Sequence, residues 1–142
     1  MADEVQHYEG GCACGAVRYR ATGKPKWVSH CHCRDCRRNT GTALVTWSGF
    51  PAERVAFTAG TPQAFHSSPG VVRRFCGACG TPLTYEGARW PGEVHVLVGT
   101  LDDPAAMQPS IHVYAAHQIP WLQLGDGLPR FAALPGEGPP LA

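Results

Sequence analysis

The sequence predicts a mainly β protein of small antiparallel sheets tied together by metal, with helix confined to short turns. Three observations predict it. Apolar and polar residues alternate in many short runs, the period of two expected of half-buried strands. Seventeen glycines and thirteen prolines punctuate those runs, which favours tight turns over long helices. Seven cysteines stand in three tight clusters with glycines beside them, a pattern of metal ligation.

The strands are expected in order. Residues 15–21 (GAVRYRA) place Val17 and Tyr19 on one face. Residues 42–47 (TALVTW), 54–58 (RVAFT), 62–66 (PQAFH) and 70–76 (GVVRRFC) follow, and 81–86 (TPLTYE) comes directly after the last cysteine cluster. The run 93–98 (EVHVLV) sets Val94, Val96 and Val98 on one face, and 111–115 (IHVYA) reads as a further strand. Helical turns are expected over Asp35–Asn39 and over Asp102–Met107, where an acidic N-cap precedes a proline in the first turn. The stretch 117–131 is apolar but rich in turn residues, and is expected to pack as an irregular cover. Trp47, Trp90 and Trp121 are expected in the core, and His95 and His112 are expected to be structural.

A length of 142 residues fits one domain with a core of its own. That domain is assigned to residues 1–134, and 135–142 (PGEGPPLA) reads as a disordered tail. The formal net charge is +1, so no global field draws the chain to nucleic acid or to an anionic membrane. The acidic N-terminus lacks the apolar segment of a secretory signal. No run approaches the ~20 apolar residues of a membrane helix. A cytoplasmic location is expected, where disulfides are rare. The odd cysteine count also argues against complete pairing.

The clusters are Cys12-x-Cys14, Cys31-x-Cys33-x-x-Cys36 and Cys76-x-x-Cys79. Such spacings bring sulfurs within reach of one metal about 2.3 Å from each, and zinc is the expected ion; iron–sulfur ligation is the rival for a set of four cysteines. Gly11, Gly15, Gly77 and Gly80 flank the ligands and allow the backbone to turn around a metal. The count divides as four plus three. Cys12, Cys14, Cys76 and Cys79 supply a closed structural zinc site, which would staple the start of the fold to its middle. Cys31, Cys33 and Cys36 cover one side of a second zinc, with the fourth position open as in catalytic sites. A closed site of three cysteines and one histidine, completed by His30, His32, His7 or His66, stays open as an alternative. So does a pairing of the first cluster with the second.

The residues then resemble a known family. Gly11-Cys12-Ala13-Cys14-Gly15-Ala16-Val17, Cys31-His32-Cys33-x-x-Cys36-Arg37-Arg38-x-x-Gly41 and Phe75-Cys76-x-x-Cys79-Gly80-Thr81-Pro82-Leu83 are similar to the GFA / CENP-V domain, named for glutathione-dependent formaldehyde-activating enzymes. Gly99-Thr100-Leu101-Asp102-Asp103, His112-Val113 and Trp121 add to the likeness, which covers residues 8–132. The resemblance implies a β-tent fold, a structural zinc on Cys12, Cys14, Cys76 and Cys79, and a second zinc on Cys31, Cys33 and Cys36. It also implies carbon–sulfur lyase activity on an adduct of S-(hydroxymethyl)glutathione type.

The expected chemistry at the second zinc is thiol activation. A free thiol has a pKa near ~8.5 and is mostly protonated at neutral pH, and zinc coordination deprotonates it. Three thiolates weaken the ion as a Lewis acid, which favours presenting a nucleophile to a small aldehyde. His32, between two ligands, is the candidate proton carrier or hydrogen-bonding support. Arg37 and Arg38 are the candidate anchors for carboxylates of a small thiol such as glutathione, with Arg34, Arg73 and Arg74 also near cysteines in sequence. The competing function is a non-catalytic, zinc-stapled module that binds a protein partner. Oligomeric state is not legible in the sequence.

Overall fold

The computed structural model of the chain describes residues 5–137 and 140–141. Along it run β1 (His7–Gly11), β2 (Arg18–Thr22), β3 (Trp27–Cys31), α1 (Arg34–Thr40), β4 (Val45–Pro51), β5 (Val55–Ala59), β6 (Gln63–Ser68), β7 (Val71–Phe75), β8 (Pro82–Gly87), β9 (Glu93–Leu97), β10 (Ile111–Val113), β11 (Arg130–Phe131) and β12 (Pro140–Leu141). The protein is mainly β, as the alternation predicts. The chain forms two compact units. One holds the described residues through Lys26 together with Ser48–Met107, and the other holds Trp27–Trp47 and the described residues from Gln108 onward.

In the first unit, β2 pairs antiparallel with β1 on one side and β5 on the other. Tyr8, Tyr19 and Ala21 turn inward and are buried. Gly10 lies opposite Tyr19, and a Cβ there would sit 2.5 Å from the Tyr19 hydroxyl and from the Thr100 carbonyl oxygen. Only glycine therefore lets the buried Tyr19 hydroxyl reach Thr100 Oγ1 at 2.8 Å. Arg20 pairs with Glu9 on the exposed face, and such pairs contribute little to stability.

The same unit carries an antiparallel meander, β6 to β9, with Thr84 opposite Val96 and Tyr85 opposite His95. Leu83, Thr84, Val94 and Val96 are buried. β9 departs from simple alternation, because His95 is buried as well. Its ring stacks on Tyr85 and meets Trp90 edge-on, while Nε2 lies 3.1 Å from Glu93 Oε1. Val98 leaves the strand and begins a single 3-10 turn, Val98–Thr100. The turn expected over 102–107 is a 3-10 turn at Pro104–Ala106.

In the second unit, β10 lies between β3 and β11 and runs parallel to both. These pairings depart from the antiparallel expectation. Alternation reports which face is buried, not strand direction, and parallel neighbours need only a long connection. α1 exceeds the expected turn by one residue at each end and stops at Gly41, which adopts φ 73°. Within 117–131, Ile119–Leu122 forms a turn closed by the Leu122 N–H on the Ile119 carbonyl. Pro120 takes its second position, and Trp121 at the third is 72% exposed. The core placement expected for Trp121 is therefore corrected; Trp47 is buried. In the segment 135–142, expected to be disordered, Pro140–Leu141 pairs antiparallel with β11. Residues 138, 139 and 142 of that segment lie outside the described residues.

Candidate metal centres

The first cluster is assembled by two turns of one unit. Cys12 and Cys14 follow β1, and Cys76 and Cys79 join β7 to β8. The turns are built alike. The Gly15 N–H donates to the Cys12 carbonyl at 3.1 Å, and the Gly80 N–H donates to the Cys76 carbonyl at 2.8 Å. Both glycines adopt left-handed backbone, φ 80° and 79°. A Cβ on either would meet nothing within 4 Å, so glycine is used for its dihedral freedom and not for space. Thr81 ties the two turns: its hydroxyl accepts from the Ala13 N–H at 3.1 Å and lies 3.2 Å from Cys79 Sγ.

The four sulfurs lie within 4.8 Å of one another. Cys12 and Cys14 Sγ are 3.6 Å apart, and Cys14 and Cys76 Sγ are 3.8 Å apart. A tetrahedron with metal–sulfur bonds of about 2.3 Å has edges of about 3.8 Å, so the set fits a four-thiolate ion. No disulfide joins any of the seven cysteines. The backbone already favours the thiolates a metal requires. The Val17 N–H donates to Cys12 Sγ at 3.2 Å and lowers its pKa. The Thr81 hydroxyl, then its N–H, push Cys79 down to about 5. The Ala16 N–H works to lower Cys14, but Cys12 and Cys79 push it up to about 11.

The second cluster lies in the other unit. Cys31 ends β3 and is buried, Cys33 precedes α1 and Cys36 lies in its first turn, both half-buried. Their sulfurs also lie within 4.8 Å of one another, and no histidine or carboxylate joins them among the described residues. The closed site with His30, His32, His7 or His66 is thus not assembled; His7 and His66 are exposed. Charge within the trio settles on Cys33. The Cys31 and Cys36 thiols donate to it, and the N–H groups of Cys36 and Asp35 assist, so its pKa is lowered while that of Cys31 is raised. Each cluster can hold a metal ion.

His32 is fully buried, and its N–H donates to the Val113 carbonyl at 3.0 Å. Burial, with a smaller contribution from the neighbouring Arg130 and Arg37 guanidinium groups, pushes it down to about 4. Its Nε2 lies 2.9 Å from His112 Nδ1, and His112 Nε2 lies 2.8 Å from Asp126 Oδ2. Sequence reasoning missed this relay of side chains. His112 stands in an apolar strand pattern and Asp126 in a glycine turn, and neither is near a cysteine in sequence. Arg37 is half-buried and donates to the His117 carbonyl at 3.0 Å. Arg34 and Arg38 are exposed. Arg73 and Arg74, on β7, are taken up locally: Arg73 lies over the Tyr85 ring and donates to Ser67, and Arg74 pairs with Glu86.

Residues 7–117 match the family described as glutathione-dependent formaldehyde-activating enzyme. A Halomonas elongata protein, provisionally named as such an enzyme, is 29% identical over 126 residues, covering 82% of this chain and 80% of that protein. An uncharacterized lyase of Schizosaccharomyces pombe is 31% identical over 81 residues, 57% of this chain and 58% of its own. A crystal structure of a Rhodobacter sphaeroides protein shares the fold, with a TM-score of 0.55 at 19% identity over 71% of this chain and 96% of that one. With the family match running through both cysteine clusters, the chain belongs to the glutathione-dependent formaldehyde-activating enzyme (GFA) family.

Proposed function

We propose that the protein is a zinc-dependent carbon–sulfur lyase of GFA type, acting on a small thiol–aldehyde adduct such as S-(hydroxymethyl)glutathione. Cys12, Cys14, Cys76 and Cys79 hold a structural zinc, and Cys31, Cys33 and Cys36 hold a second. The observation that carries the reading is the trio itself: three sulfurs gathered without a fourth protein donor among the described residues, two of them half-buried. Four protein ligands close a zinc site, whereas three leave a position for an exogenous ligand. Zinc held by the trio supplies a lowered thiol pKa, so that the substrate sulfur is a competent nucleophile and leaving group near neutral pH.

The reaction is neither an oxidation nor a reduction. In the cleavage direction the carbon–sulfur bond breaks with its electron pair passing to sulfur. The carbon–oxygen double bond forms as the hydroxyl proton leaves, and that proton ends on the thiol. Cys31, Cys33 and Cys36 bind and orient at this centre, and His32 supports the ligand loop as an uncharged imidazole. Arg37 and Arg38 receive substrate carboxylates; Arg37 is held in place by His117. One functional domain over residues 1–134 is consistent with a family match that spans both units. The free cysteines suit a reducing, cytoplasmic setting, and among the described residues no helix is long and apolar enough to cross a membrane.

The test is exchange spectroscopy on 13C-formaldehyde mixed with glutathione, with and without protein. The expected result is faster exchange between free and adduct carbon, lost in Cys33→Ala. Unchanged exchange with glutathione and with other small thiols overturns the proposal. A zinc-stapled binding module for a protein partner is the second reading, favoured by the exposed Trp121 at its turn.

A further inference from the structure

We infer that His112 and Asp126 are positioning residues for the second cysteine cluster, fixing His32 in one tautomer and so holding the Cys31–His32–Cys33 segment in its ligand conformation. The inference rests on the second cluster being a metal site.

The proton order follows from the partners. Asp126 Oδ1 accepts from the Leu128 N–H at 3.0 Å, and Oδ2 lies 2.8 Å from His112 Nε2. An ionised carboxylate only accepts, so His112 Nε2 carries the hydrogen. A buried N–H without an acceptor is rarer than a bare lone pair, and His32 Nδ1 has no partner among the described residues, so the hydrogen shared between the two rings is not supplied by His112 Nδ1. The atom facing it, His32 Nε2 at 2.9 Å, donates. The remaining nitrogen, His32 Nδ1, is buried, carries a lone pair and makes no hydrogen bond among the described residues. That lone pair is open to a donor such as a water or a hydroxyl, thiol or amide of a bound molecule.

The chain anchors the ligand segment from two directions. On the main-chain side, the His32 N–H is bound to Val113, and Cys31 lies in register with Val113 on the parallel pair β3–β10. On the side-chain side, the His32 ring is tied through His112 to Asp126. His30, which precedes the ligands, packs on the same group: its Nδ1 meets Thr46 Oγ1 at 2.8 Å, and its Nε2 lies 3.9 Å from Asp126 Oδ2. A loop whose middle residue is fixed in rotation and tautomer presents the flanking sulfurs with little freedom left to lose on metal binding.

Two measurements test it on the full chain. Long-range 1H–15N spectra of the imidazoles are expected to show both His32 and His112 with hydrogen on Nε2; hydrogen on Nδ1 of His32 overturns the assignment. Cobalt(II) titration, followed by the visible thiolate bands, is expected to show the second cluster weakened roughly 10-fold or more in Asp126→Ala. The first cluster should be unchanged, and Asp126→Glu should recover part of the loss. Wild-type cobalt affinity at the second cluster in both Asp126→Ala and His112→Gln, with folding confirmed by circular dichroism, overturns the positioning role. If the unaltered second cluster takes up no cobalt, the metal reading fails, and the nitrogen spectra alone decide the tautomer.

Discussion

Stripping metal from the first cluster is expected to cost the protein a large part of its stability. Cys14 and Cys76 are 62 residues apart in sequence and 3.8 Å apart at sulfur. A four-thiolate ion there therefore acts as a cross-link closing a long loop. Treated with the chain-entropy relation for cross-links, a 62-residue loop is worth about 4.3 kcal/mol at 25 °C. Domains are stable by only about 5–15 kcal/mol, so this constraint alone is a sizeable share. For a chain of this length it corresponds to a fall in Tm of roughly 9–17 °C. The direct free energy of the metal–sulfur bonds adds to that fall. The assay is a thermal melt by circular dichroism with and without a strong chelator, with metal content measured on the same samples. Cys33→Ser is the control, because its partners Cys31 and Cys36 lie in one short segment already ordered by β3 and α1. An unchanged Tm after complete metal loss, or an equal fall in the Cys33→Ser control, refutes the cross-link reasoning.

Three further outcomes are expected. Leu83→Ala removes a fully buried side chain and should cost about 2–5 kcal/mol by denaturant melt; a loss under about 1 kcal/mol would show that the site collapses around the cavity. Gly80→Ala places a Cβ in open space but at φ 79°, so it should cost about 1 kcal/mol and weaken the first centre without abolishing it. Equal metal affinity and stability in that variant would count against the strained-turn explanation. The His32 pKa is pushed from its ordinary value of 6.5 down to about 4. Above pH about 6.5 the imidazole is neutral in both states. Below it the unfolded chain gains a proton that the folded chain refuses until about pH 4. Stability should therefore fall across that window, by on the order of 3 kcal/mol for this group. His32→Gln should show a shallower fall in chemical melts between pH 7 and 5, and an identical slope would contradict the assignment.

The parts of the fold that were legible in the sequence are those where local chemistry decides. The strands around Tyr19, Leu83 and Val96 declare themselves by alternation, and the three cysteine clusters by spacing. The structure gathers the clusters as four plus three. β1 was hidden because Gly10 and Gly11 weaken any strand pattern, and the reason for Gly10 is a tyrosine hydroxyl from the neighbouring strand. β3 was hidden because Ser29 within it and His32 just after it are polar yet buried, which breaks the apolar period. The parallel course of β10 has no local signature. Nor has the link from His32 to His112 and Asp126, which joins residues 80 and then 14 positions apart. Such contacts are set by topology, and a polar residue in a strand or turn does not announce its partner.

Metal content and sulfur coordination in freshly purified, unchelated protein test the central claim most directly. Elemental analysis with zinc-edge X-ray absorption should find two zinc ions per chain, about 2.3 Å from sulfur, one with four sulfur neighbours and one with three. Absence of bound metal, or cysteines joined to one another, would contradict it.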